Sequence, residues 1–197
     1  LEVCQVDIYE AIAQRRSIRR FKKNQPVPKE LLEKLLEAAI KSPSACNRQP
    51  WHFVVLDGAR KDEFMRLFNG ELSRQKAAGE DVGSGPATAR AMADAPVILL
   101  VYDPLWHPGD DRTGAARLSY LMDTQSAGAA IENLLLAATA EGLGTLWIGD
   151  TFEAEEAIGR WLGRDDEMVG AVAVGWPDQS PSPRPRKPRD EVSEWMD

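Results

Sequence analysis

Cysteine and histidine are both scarce in this chain, two of each among 197 residues. Cys4 and Cys46 stand in no metal-binding or redox spacing, so they read as two reduced thiols of a cytosolic protein rather than a disulfide framework. Two histidines, His52 and His107, exclude a site that needs three imidazoles. Together with two distant cysteines they argue against catalytic zinc, and no metal site is expected. The P-loop pattern is missing, and so is the G-x-S-x-G elbow of the α/β-hydrolases. Gly142-Leu143-Gly144 opens like a dinucleotide fingerprint but follows a helix and enters a strand, the reverse of the order that brings a helix N-terminus to a pyrophosphate. Long apolar runs are absent too. Ala95 to Tyr102 is far short of the roughly 20 residues that a bilayer requires, and Leu1 to Asp7 lacks the basic-then-apolar order of a signal peptide. Basic charge is not in excess: 24 Lys and Arg stand against 31 Asp and Glu, a net charge of -7. General nucleic-acid or anionic-membrane binding is therefore not expected. A soluble cytoplasmic protein is.

What is present suffices for one compact domain over residues 1–197. With 43% hydrophobic residues, a chain of this length removes roughly 70% of its extended surface from water on folding. Asp7 and Glu10 form a capping box ahead of Ile8, Ala11 and Ile12 at helical spacing. Pro28 suits the first turn of a second helix, whose stripe of Leu31, Leu32, Leu35, Leu36 and Ala39 ends near Ser42. Strands are expected at Trp51–Leu56, Val97–Tyr102, Thr145–Ile148 and Met168–Val174. Gly58–Phe68 reads as a helix, Asn69–Pro86 as a polar loop or mobile lid, and Tyr102–Gly114 as irregular. Arg117–Ala140 is proline-free, apolar on more than one face and rich in small residues at Ser126–Ala130. It reads as a long central helix, either enclosed in a monomer or shared with a second subunit. Glu153, Glu155 and Glu156 suit the first turn of a further helix. After Trp176, five of the thirteen prolines make an extended tail over about 177–197. Strands interleaved with helices predict an α+β (mixed α/β) architecture around a single sheet.

Two polar patches carry the candidate chemistry. In the first, Arg15-Arg16-Ser17-Ile18-Arg19-Arg20, an extended chain would put Arg15, Ser17 and Arg19 on one side and Ile18 inward. Two guanidinium forks and a hydroxyl then suit a phosphate. A solvated basic helix end is the alternative reading. The second patch, Ser42-Pro43-Ser44-Ala45-Cys46-Asn47-Arg48-Gln49-Pro50-Trp51, is a proline-stiffened loop whose neutral donors and acceptors suit the edge of a planar heterocycle.

Together these two patches resemble the paired signature of the FMN-dependent nitroreductase family. The helix ending Glu132-Asn133-Leu134-Leu135-Leu136-Ala137-Ala138, the segment Gly142-Leu143-Gly144-Thr145-Leu146-Trp147-Ile148-Gly149 and the tail Arg184-Pro185-Arg186-Lys187-Pro188 agree in order and spacing. The resemblance implies a mainly antiparallel central sheet flanked by helices, with the long helix at a dimer interface. It also implies FMN as cofactor and NAD(P)H as electron donor. Arg15, Arg16, Ser17 and Arg19 would hold the flavin, with Arg19 also near the pyrimidine side of its ring. Pro43, Ser44, Ala45 and Asn47 would lie against the ring in a site built by two subunits. Trp147, Ile148 and Gly149 would run along the ring, and Arg186, with Arg184 beside it, would return to the phosphate. Gln49 would support the loop and Gln125 is a further ring contact to test.

A flavin enzyme needs no protein nucleophile, because the cofactor does the chemistry and the protein supplies position and electrostatics. The expected activity is electron transfer from NAD(P)H to a nitroaromatic, quinone or similar small acceptor by a ping-pong mechanism in a homodimer with shared sites. A flavin-binding or regulatory protein without turnover, and a flavin-dependent dehydrogenase or dehalogenase, are the alternatives. Against the iodotyrosine-dehalogenating branch, no tyrosine occurs between Asn69 and Ala95. Ser17 departs from the flavin-fragmenting branch. Acceptor selectivity is expected from Asn69–Ala89 and from the segment around His107.

Overall fold

The computed structural model describes residues 7–196. Its centre is one four-stranded sheet built from β1 (His52–Asp57), β2 (Val97–Asp103), β3 (Gly144–Ile148) and β4 (Glu167–Gly175). The spatial order is β1-β2-β4-β3, and every neighbouring pair is antiparallel. This is the mainly antiparallel α+β architecture expected. β2 is buried along its whole length, because both faces of the sheet are covered. It therefore reads as an unbroken apolar run instead of an alternation.

Alternate residues of β2 enter different cores. Ile98, Leu100 and Tyr102 pack with Phe64, Phe68 and Met92, beneath α3 (Gly58–Ala77), α4 (Gly85–Asp94) and α6 (Glu155–Leu162). Val97, Leu99 and Val101 pack with Leu35, Ile131 and Leu134, beneath α2 (Lys29–Ala39) and α5 (Gly114–Ala140). The helix expected at residues 117–140 is thus α5, starting three residues earlier. It rests on the sheet but leaves Leu118, Leu121 and Met122 exposed.

Asn69–Pro86 is not a loop. α3 continues to Ala77 and α4 starts at Gly85, so the connection is short. Phe64, Phe68, Leu72 and Gln75 carry the buried face at helical spacing. The polar composition of residues 69–77 belongs to the outer face, and Gly70 points into open space. Smaller differences follow the same logic of local context. Glu153 lies in a separate 3-10 turn, Asp150–Ala154, ahead of the helix that Glu155 and Glu156 begin. Trp51 is half-buried. Asp7 does cap α1 (Ile8–Gln14), accepting from the Glu10 N–H at 2.9 Å.

The exposed edge of β3 is covered by the chain's own N-terminal segment. Ser17 bridges Thr145 in parallel, and Ile18 N–H donates to the Thr145 carbonyl at 2.8 Å, which protects an edge strand from foreign pairing. Gly144 is required there by close approach: a Cβ would sit 2.8 Å from Ile18 Cγ1. Further on, Lys22 N–H donates to the Trp176 carbonyl and Asp178 N–H to the Arg20 carbonyl, at 2.8 and 2.9 Å. These bonds tie the segment after α1 to the start of the proline-rich tail. Among the described residues no helix is long and apolar enough to cross a membrane.

Candidate functional site

The junction between the two ends of the chain is a hollow of about 850 Å³. One wall is the extended segment after α1, with Arg15, Arg16, Ser17 and Arg19; the other is the tail, with Arg184 and Arg186. Five arginines from segments more than 160 positions apart thus line one space, with Ser17 among them. A change from helical to extended backbone makes this possible. Arg15, with φ -53° and ψ 129°, ends α1, and beyond it Ile18 turns inward to 6% exposure while Ser17 and Arg19 stay accessible.

The two readings left open for the basic segment divide between its residues. Arg16 Nη1 donates to the carbonyls of Ala13 and Arg15, at 2.6 and 2.7 Å. It therefore satisfies the end of α1, where free carbonyls attract a cation. Arg15 Nε instead pairs with Glu132 of α5 at 3.4 Å. Glu132 is the one carboxylate lining this hollow, and the sequence reading gave it no role. Its position on the same helix face as Gly128 was the available signal. On the tail side, Arg186 Nη1 donates to the Arg184 and Pro185 carbonyls, both at 3.3 Å. Gln179 accepts from Arg20 Nε at 3.3 Å.

The remaining expected site residues lie elsewhere. Pro43, Ser44 and Ala45 wall a separate hollow of about 290 Å³ against Met122, Gln125, Ser126 and Ala129 of α5. Asn47 follows in the same loop, as part of the short turn Ala45–Asn47. Gln49 does close that loop: its N–H donates to Ser44 Oγ at 3.0 Å. Trp147, Ile148 and Gly149, at the end of β3, line neither hollow. Trp147 is 43% exposed and Ile148 is buried. A Cβ on Gly128 would lie 3.6 Å from the Trp147 ring, so the small residues of α5 leave room for that indole. Within one chain, then, the arginines converge, while the loop at residues 43–47 and the strand end at 147–149 form separate patches.

Behind the loop lies a polar cluster that the sequence reading missed. Asp123 of α5 is fully buried and takes Arg48 Nη2 at 2.9 Å and Trp106 Nε1 at 2.9 Å. Asp103, at the end of β2, is nearby and 1% exposed. Burial pushes its carboxyl up to about 6, offset by the Leu105 N–H and reinforced by Asp123; a low-dielectric site disfavours the charged form. Cys46 is a free, exposed thiol, and Cys4 lies outside the described residues.

A helix-covered antiparallel sheet with an arginine-walled hollow at one edge defines an α+β protein equipped to hold a phosphorylated ligand. Residues 12–176 match the model of the Nitroreductase family, and the chain belongs to that family. It is 34% identical to a protein named NADH dehydrogenase from Thermus thermophilus, an alignment covering 96% of both chains. Its fold superposes with a TM-score of 0.75 on a crystal structure described as a nitroreductase in complex with FMN from Desulfovibrio desulfuricans, at 29% identity and 96% coverage of each chain. A nitroreductase-like family protein from Bacillus cereus aligns with a TM-score of 0.77, at 25% identity and 96% coverage of each. The family resemblance read from five sequence segments is thereby correct, and so is the antiparallel sheet flanked by helices that it implied.

Proposed function

We propose that this chain is an FMN-dependent oxidoreductase, one unit across residues 1–197, that takes electrons from NAD(P)H and delivers them to a small acceptor such as a nitroaromatic or a quinone. The observation that carries this reading is the meeting of Arg15, Arg16, Ser17, Arg19, Arg184 and Arg186 around one hollow. A phosphate monoester dianion is the ligand that such a set of fixed donors favours most. The hollow's volume of about 850 Å³ fits a mononucleotide with part of its ring system, within the usual range of cofactor sites. FMN bound there supplies two-electron transfer between donor and acceptor. The names of the Thermus and Desulfovibrio relatives, which cite NADH and FMN, favour the same reading.

The chain's own residues have distinct tasks. The guanidinium groups neutralise the phosphate, and Arg19 stabilises negative charge that develops on the pyrimidine side during reduction. Pro43, Ser44, Ala45 and Asn47, on a different surface of the same chain, serve the ring of the partner's cofactor in a homodimer with two shared sites. Trp147, Ile148 and Gly149 border the ring and leave one face for donor and acceptor in turn. Two substrates that take turns at one face give ping-pong kinetics. The exposed apolar residues of α1 (Ile8, Tyr9, Ile12) and of α5 (Leu118, Leu121, Met122) favour a second copy against this side of the molecule. A cytoplasmic location is part of this proposal, in keeping with the free thiol of Cys46.

Anaerobic mixing tests the proposal. The purified protein should be yellow, release FMN on denaturation and bleach with NADH or NADPH. Initial rates against both substrates should give parallel reciprocal plots. A protein that stays yellow with both donors would be a binder without turnover, and a colourless protein that takes up no FMN would refute the assignment.

A further inference from the structure

The loop that follows α2 is held in an unusual backbone state. Cys46, Asn47 and Gln49 have φ of 51°, 54° and 51°, the left-handed region that is uphill for any residue with a Cβ. None is glycine, so the conformation has to be held by contacts, of which the Gln49 N–H to Ser44 Oγ bond lies within the loop and two others come from α5. Arg48 is the right-handed residue among them, with φ -70°, and its side chain is the one that reaches inward.

Two points of α5 grip this loop. Ser126 Oγ accepts from the Ala45 N–H at 3.3 Å. Asp123, three residues earlier on the same helix face, holds Arg48 Nη2 at 2.9 Å. The Asp123 side chain is 0% exposed and that of Arg48 37%, so the bond runs from the surface into the interior. Trp106 Nε1 donates to the same Oδ2 at 2.9 Å, which gives the carboxylate a second donor outside the loop. Asp123 Oδ1 has no hydrogen-bond partner. The burial of this carboxylate therefore rests on Arg48 and Trp106, and a buried charge left without its cation is strongly unfavourable.

We propose that Asp123, acting through Arg48, is a positioning residue that keeps the loop at residues 44–49 in this conformation, with Cys46, Asn47 and Gln49 left-handed, and thereby sets the flavin affinity of the shared site. The inference rests on the assignment of Pro43, Ser44, Ala45 and Asn47 to the ring. Asp123 touches no reactant. Its effect is to deliver an already ordered wall, so that binding does not have to order the loop.

The test uses the full chain carrying Cys4→Ser, which leaves Cys46 as its one thiol, and compares Asp123→Asn, Arg48→Met and the double variant. Met92→Ala, a cavity in the core under α4, serves as a control for general loss of stability. In flavin-free protein, modification of Cys46 by a disulfide reagent should accelerate about tenfold in Asp123→Asn and Arg48→Met, but not in Met92→Ala. The dissociation constant for FMN should rise about tenfold in both single variants, equivalent to 1.4 kcal/mol. The double variant should be no worse than either, because the pair acts as a unit. Arg48→Lys should recover part of the affinity.

An Asp123→Asn protein with unchanged Cys46 reactivity overturns the proposal, and so does one whose thiol speeds up while FMN binds as in the parent. Loss of affinity in proportion to melting temperature, matched by Met92→Ala, also overturns it. If the parent protein itself takes up no FMN, the flavin assignment fails, and the thiol rates alone decide whether Asp123 holds the loop. If Asp123→Asn does not accumulate, Arg48→Met breaks the same bond from the solvent side.

Discussion

Five arginines line one hollow, and Glu132 offsets a single positive charge among them. Each arginine aimed at the ligand should therefore show its full electrostatic contribution when an anion enters. Replacing Arg19 or Arg186 with alanine should weaken FMN binding by about 1.5–3 kcal/mol each, the value of a charge-assisted hydrogen bond. Fluorescence titration measures this directly, and retention of flavin through dialysis by both variants would show the pocket to be misplaced. Arg16 differs from Arg186 in what it holds: its bonds to the Ala13 and Arg15 carbonyls, at 2.6 and 2.7 Å, are shorter than the 3.3 Å bonds that Arg186 makes within the tail, and they close the end of α1; its loss should lower stability as well as affinity. Asp103 makes a second prediction, with a definite sign. Its folded value of about 6 lies above the ordinary 3.8. The folded state therefore keeps a proton that the unfolded chain loses between about pH 4 and 6. The corresponding stability is complete below that window and is lost as pH rises through it, with a steepest slope of about 1.4 kcal/mol per pH unit. Urea unfolding at several pH values should show Asp103→Asn gaining on the parent protein between pH 4 and 6. Parallel profiles would contradict this.

The strands were legible because burial on both faces left continuous apolar runs such as Val97–Tyr102, and α5 was legible because it lacks proline and glycine breaks over most of its length. The segment after α1 was legible in its chemistry, since alternating Arg15, Ser17 and Arg19 around Ile18 is a strand-like pattern. The second half of α3 was not. Residues 69–77 have one buried face, at Leu72 and Gln75, and a solvated remainder interrupted by Gly70, which by composition looks like a loop. The pairing of Arg48 with Asp123 was equally invisible, because it joins a loop to a helix 75 positions away and no local pattern encodes it. Gly70 gives a prediction of its own. It lies inside α3 with nothing within 4 Å of a would-be Cβ and is not among the positive-φ glycines. Gly70→Ala should therefore stabilise the protein by about 0.5–1 kcal/mol through helix propensity, seen as a rise of about 1–4 °C in melting temperature. Gly144→Ala should do the opposite, since its Cβ would meet Ile18 and push the covering segment off β3.

The separation of the candidate site into three patches is the feature that, under the proposed function, calls for a second copy. The arginine-walled hollow and the loop at residues 43–47 have no lining residue in common, yet a flavin needs both a phosphate grip and a wall for its ring. α5 lies between them, lending Glu132 to one and Gln125 and Ser126 to the other, with Leu118 59% exposed on its outer side. A monomer would leave this apolar face in water, at a cost that burial against a second copy removes. In a homodimer the loop of one protomer can then complete the hollow of its partner, so assembly and cofactor binding should stand or fall together. Leu118→Glu, a charge on that face far from the arginines in sequence, should weaken self-association by about tenfold or more. Light scattering coupled to size exclusion reads the mass, and absorbance at the flavin band reads the cofactor in the same peak. Flavin content should drop with the dimer fraction, and added FMN should shift the variant back toward dimer by mass action. A parent protein that runs as a monomer while holding stoichiometric FMN would show that a single copy builds the whole site.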